Sequence, residues 1–223
     1  MIISFVNLIL FLTITFLSLH GYGLIISTLF SKDNFFINNY KTLNLIFGLI
    51  LVGSLSILIS FFSNLSNIIC FSVIIFGILI LIINLIYLKY KNFELRYLFI
   101  IIFISLVFSF YSLGNDDFSY HLQTIVLFKE NIVFDIIHSR QTSYNSFWLI
   151  ISSLLYIDFF PQTLFTITSL LYSSLVFDIY SSLKRNFKNK NNLLIVYTFT
   201  NLLFLLGVIN NYQNFGTDFP GQI

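Results

Sequence analysis

The sequence predicts an all-α, polytopic transmembrane helix bundle. Three observations carry that prediction. Of 223 residues, 57% are hydrophobic and only 9% charged, where soluble domains run near a quarter charged. The apolar residues fall in runs of about 20, the length that crosses a hydrocarbon core as a helix. These runs are apolar all round, whereas a helix on a soluble core keeps a polar face.

Taken in order, candidate helices fall at 2–28, 42–62, 68–88, 97–113, 162–182 and 193–209, with a shorter apolar run at 147–159. The first run begins without a basic region and has no small-residue cleavage site, so it reads as a retained helix rather than a signal peptide. It is long enough to tilt, or to break around Gly21 and Gly23. The run at 147–159 is too short to span comfortably and reads as interfacial or re-entrant. This gives six full spans and one partial helix.

Orientation follows the basic residues. Lys89, Lys91 and Arg96 cluster after the third run, and Lys184, Arg185, Lys188 and Lys190 follow the fifth. Both clusters fall on the cytoplasmic side, with Lys32 and Lys41, only if 147–159 does not span. Lys129 and Arg140 then remain outside, in a large outer segment at 114–161. The N-terminus and residues 210–223 also fall outside. Residues 1–96 form an N-terminal set of transmembrane helices and 97–223 a second region. The ending Gly-Thr-Asp-Phe-Pro-Gly-Gln-Ile has no closing element and reads as a chain interrupted before a further helix.

Composition excludes several classes. Alanine is absent while Phe, Ile, Leu and Asn abound, a pattern that an AT-rich coding bias would produce, so Phe richness says little about function. A net charge of +2 does not suggest a nucleic-acid partner, which usually demands a clustered basic face. One cysteine, Cys70, excludes a disulfide framework and a cysteine-rich metal site.

Polar chemistry concentrates at 114–146. Asn115 is a candidate helix cap, with Asp116 and Asp117 in the first turn. Asp117 and His121 share a helix face, while Phe118, Leu122, Ile125 and Ile132 share another, as in a helix lying on a membrane. Helix capping explains the two acids at least as readily as metal ligation or general-base work does. His121 alone is more often a surface or packing residue than a ligand. Arg140 suits a phosphate in bidentate geometry, a pairing with Asp135, or lipid headgroups. Tyr144 and Trp148 suit the aromatic belt. Asp218 follows the last helix, on the same side as Asp116 and Asp117. It reads either as a turn aspartate before Pro220 or, with Asp117, as part of an oxygen-ligand site for a divalent cation such as Mg or Mn.

The runs Tyr120-His121-Leu122-Gln123, His138-Ser139-Arg140, Asn145-Ser146-Phe147-Trp148 and Asp218-Phe219-Pro220 resemble a family of uncharacterised bacterial polytopic membrane proteins. The resemblance covers about residues 97–223. The wider arrangement is similar to the GT-C glycosyltransferases, integral membrane enzymes that use lipid-phosphate-linked sugars. It implies a GT-C-like fold with an interfacial helix in the outer loop, incomplete at the C-terminus. It also implies Asp116 or Asp117 as the first-loop acid and Asp218 as the second. His121, His138 and Arg140 then become substrate-binding candidates, with a polyprenyl-phosphate-linked sugar as partner in the bacterial plasma membrane. The chain departs from the pattern in its three preceding helices and in lacking a His-Pro-Pro or Lys-Pro-Pro signature. The competing expectation is a non-enzymatic transporter or assembly component for lipid or polysaccharide. It calls for broken helices with polar groups at the membrane midplane, for which Asn201 and Ser54 are the weak candidates.

Overall fold

The computed structural model describes residues 2–30, 41–87, 95–109, 122–136, 147–157, 163, 166–190 and 192–209. Nearly all of these residues are helical. The elements are α1 (Ile2–Phe30), α2 (Lys41–Phe62), α3 (Asn67–Tyr87), α4 (Leu95–Ser109), α5 (Leu122–Glu130), α6 (Val133–Ile136), α7 (Phe147–Leu155), α8 (Thr166–Lys188) and α9 (Asn192–Ile209). Among the described residues, three helices are long and apolar enough to cross a membrane, over Phe5–Leu29, Thr42–Phe62 and Asn67–Ile86. Helices α4 and α9 carry shorter apolar stretches, Arg96–Leu106 and Asn192–Leu203. These findings describe a membrane-embedded helical protein.

Helix α1 is the centre of the first layer. It packs between α2 and α3, and 61% of its apolar window is buried inside the protein, against 39% and 28% for its two neighbours. Of the two expectations for this long helix, tilting or breaking around Gly21 and Gly23, the break does not occur, because α1 is one continuous helix through both. The glycines serve close packing instead. A Cβ on Gly21 would strike the Gly77 carbonyl oxygen of α3, and one on Gly23 would strike the Asn44 carbonyl oxygen of α2. Lipid supplies no hydrophobic force to press helices together, so small residues that let backbones touch supply dispersion instead. Large side chains on the far faces, such as Leu10, Ile50, Phe71 and Ile83, stay exposed, as a lipid-facing surface requires.

The second layer is the antiparallel pair α4 and α8. Tyr97 meets Phe177 with ring centroids 4.7 Å apart, and Ser105 Oγ lies 2.9 Å from Ser173 Oγ. Tyr97 also contacts Phe16 of α1 at 5.6 Å, joining the two layers. The first half of α8 buries Thr166, Thr168, Ser169, Ser173 and Ser174. The Ser169 hydroxyl donates to the Thr166 carbonyl at 3.0 Å and the Ser173 hydroxyl to the Ser169 carbonyl, while Thr42 Oγ1 of α2 donates to the Ser174 carbonyl at 3.2 Å.

The expected helix at 162–182 is displaced toward the C-terminus. Described as Thr166–Lys188, it continues through Lys184, Arg185 and Lys188, because basic residues end an apolar run without ending a helix. The short run at 147–159 is α7. Its nine residues rise about 13 Å at 1.5 Å per residue, far below a membrane thickness. Leu149 through Ile157 are all buried, against α2, α3, α5 and α8, so the helix lies within protein rather than on a membrane surface.

Candidate functional site

The residues singled out from sequence, Asp116, Asp117, His121, His138, Arg140 and Asp218, all lie outside the described residues. The expected Asp117–His121 face and the pairing of Asp117 with Asp218 lie there too. What is described is the scaffold bordering them.

Elements from distant parts of the chain gather at one end of the bundle. The tight connection 63–66 between α2 and α3 accepts α5 directly: the Leu65 backbone N–H donates to the Phe128 carbonyl at 3.0 Å. Lys129 Nζ donates to the Asn67 side-chain oxygen at the start of α3 and to the Tyr156 carbonyl beyond α7 at 2.6 Å. The ammonium also sits 5.3 Å from the Tyr156 ring centroid, within cation–π range. Phe134 of α6 meets Phe61 near the end of α2 at 5.4 Å. The Ile157 N–H donates to Thr163 Oγ1 at 2.8 Å, which ties the end of α7 to a residue three before the start of α8. The C-terminus of α2, the N-terminus of α3 and all of α5, α6 and α7 therefore share one end. Because α8 begins near this end and α4 runs antiparallel to it, α4 finishes there too. Helix α9 folds back along α8, the Asn186 side chain reaching the Leu194 carbonyl at 3.5 Å, so α9 also runs toward that end.

Two buried ionisable side chains depart from what sequence reasoning expected or weighed. Lys129 falls among the outer charges in the sequence reading, and its side chain is only 6% exposed. The face that α5 buries is Thr124, Ile125, Phe128 and Lys129, whereas Leu122 and Ile132 are half-buried. The helix has turned from the expected face because Phe128 and Lys129 find their partners on α3, α7 and the α2–α3 connection. Periodicity of hydropathy cannot signal this, since it scores a lysine as exposed. His20 escaped notice altogether. It is buried in α1, its ring stacked on Phe16 with centroids 5.9 Å apart and planes 16° from parallel. Its signal was legible: an ionisable residue inside a membrane-length apolar run is a functional candidate by default.

Among the described residues, no three His, Cys, Asp or Glu side chains cluster in metal-binding range. Ser54, one transporter candidate, is exposed and bonds its own helix, donating to the Ile50 carbonyl at 2.9 Å.

No family model, curated protein or solved structure matches this chain. The functional reading therefore rests on its own residues.

Proposed function

We propose that this protein is a membrane-bound glycosyltransferase of the bacterial cell envelope, with a GT-C-like arrangement of six spans, acting on a lipid-phosphate-linked sugar at the outer face of the plasma membrane. One observation supports the reading above others: the helices bordering the polar segments all run to a single end of the bundle. Segment 110–121 leaves α4 and enters α5, segment 137–146 leaves α6 and enters α7, and residues 210–223 follow α9. Asp116 or Asp117 then serves as base toward an acceptor hydroxyl, or as ligand to a Mg or Mn ion that steadies the leaving phosphate. Asp218 is the second acid, and Arg140, with His121 and His138, meets the phosphate. The clamp at Lys129 suits such a site, because chemistry at a loop needs a rigid scaffold behind it.

The test uses membrane vesicles containing the protein and a radiolabelled polyprenyl-phosphate-linked sugar. Transfer or release of sugar supports the enzyme. Asp116→Asn with Asp117→Asn, and separately Asp218→Asn, abolish turnover while membrane abundance holds. Unchanged turnover in both variants leaves capping as the better account of these acids.

A second reading, a transporter or assembly component for lipid or polysaccharide, is favoured by a different observation. The Ser105 and Ser173 hydroxyls, with the Ser169 carbonyl that Ser105 also reaches, form a buried polar seam between α4 and α8. Vesicle uptake that falls on Ser105→Ala and Ser173→Ala, with no sugar transfer at any stage, would select it.

A further inference from the structure

We infer that the elbow between α8 and α9 is a docking surface for anionic phospholipid headgroups. The case starts from exposure. Beyond Ser174 the buried half of α8 gives way to a half-buried and then exposed one, and Lys184, Arg185, Phe187, Lys188 and Lys190 are all exposed. No acid occurs between Ile179 and Asn192. Tyr180, Lys184, Phe187 and Lys188 fall at the i, i+4, i+7 and i+8 positions of one helical stripe. Tyr180 is 60% and Phe187 62% exposed. Asp178 lies on the opposite side of the helix by the same register.

Hydrogen bonds close the end of α8. Asn189 N–H donates to the Arg185 carbonyl and Lys190 N–H to the Phe187 carbonyl, while Lys190 adopts a left-handed φ of 53° and stops the helix, the usual αL termination. The Asn186 side chain ties the elbow to α9 through the Leu194 carbonyl. Four cations are thus presented within seven residues of chain at the end of α8.

Depth selects a lipid rather than an acidic protein as the occupant. Directly after the bend, α9 exposes Leu193, Val196, Tyr197 and Phe199 along the face that α8 leaves uncovered. That apolar face belongs against acyl chains, so the basic bend one turn away sits at headgroup level. Aromatic rings interleaved with lysines on one stripe fit this depth as well. The rings rest at the interface, and the lysine stems run along apolar surface while their ammonium groups reach phosphate. Juxtamembrane lysines and arginines are drawn to anionic leaflets, each strengthening attachment about five-fold.

The test is lipid retention by the purified full chain from micelles containing equal parts phosphatidylglycerol and phosphatidylcholine, read by native mass spectrometry. The wild type keeps phosphatidylglycerol over phosphatidylcholine by at least about five-fold, and K184Q/R185Q/K188Q/K190Q brings the ratio near unity. Should that variant misfold, the wild type still decides: its preference collapses as salt rises to about 0.5 M, where screening is strong. Equal retention of the two lipids by the wild type, a preference indifferent to salt, or a folded variant that keeps the preference overturns the inference. So does binding of polyglutamate by a wild type that retains no phosphatidylglycerol, which would make the surface a protein dock.

Discussion

The backbone N–H of Leu65 donates to the carbonyl of Phe128 at 3.0 Å, joining the turn between two membrane helices to a helix far along the chain. Lys129, the next residue, repeats the join with its side chain through Asn67 and Tyr156. These bonds fix α5 and α7 to the same end of the bundle, next to the polar segments that carry the proposed chemistry.

Lys129→Met removes a buried donor from the Asn67 side chain and from the Tyr156 carbonyl. A buried acceptor left without its partner costs about 1–3 kcal/mol. The variant is expected to lose roughly that much stability in a detergent-unfolding titration, and to expose α5 to faster hydrogen exchange than wild type. Equal stability and equal exchange would show that the Lys129 side chain adds nothing to the hold that the Leu65–Phe128 hydrogen bond and the apolar contacts already give α5.

Gly21→Ala tests the close approach of α1 to α3. On propensity alone, alanine in place of a helical glycine gains about 1 kcal/mol. Here the new methyl group meets the Gly77 carbonyl oxygen and the Leu81 backbone nitrogen, neither of which can swing aside. Overpacking of this kind costs about 1–3 kcal/mol, so the variant is expected to be less thermostable than wild type in detergent. A gain in stability would mean that the two helices part at no cost.

How much of this was readable beforehand depends on the force that sets each feature. The expected spans at 42–62, 68–88 and 193–209 differ by a residue or so from Lys41–Phe62, Asn67–Tyr87 and Asn192–Ile209, because bilayer thickness writes helix length directly into composition. The expected end near residue 182 fell short of Lys188, because hydropathy marks where lipid stops, not where backbone hydrogen bonds stop. The short length of α7 was legible from its apolar run, while its burial among four helices was not. The burial of Lys129 is a tertiary fact, made by residues that sequence distance hides. The acids at 116, 117 and 218 were singled out from their types and positions, and they lie outside the described residues, so their geometry adds nothing to that reading.

The Ser105–Ser173 contact, 2.9 Å between buried hydroxyls, is suited to a double-mutant cycle. Interhelical polar contacts in a membrane protein couple by about 0.6 kcal/mol on average, since each hydroxyl finds another partner when released. The alanine cycle is expected to return a coupling of that order and sign. A coupling of zero would identify the seam as packing by small side chains rather than hydrogen bonding.

The topology can be read with a membrane-impermeant maleimide. Cys70 is fully buried, so the wild type gives a silent background. In intact cells, Asp117→Cys or Asn214→Cys is expected to label from outside and Phe187→Cys only after permeabilisation, following the distribution of Lys and Arg. Labelling of Phe187→Cys in intact cells would invert the assignment and move the basic elbow to the outer face.

The central place of α1 bears on how the protein is made. The ribosome delivers α1 before the helices that enclose it. Until α2 and α3 arrive, Thr15, Ser18 and His20, all buried in the finished fold, lack the neighbours that enclose them there. The least lipid-adapted of the three long helices is thus the one that must wait. Its release into the bilayer is expected to lag behind its synthesis, paced by the appearance of Gly48 and Gly77, whose bare backbones complete its seat.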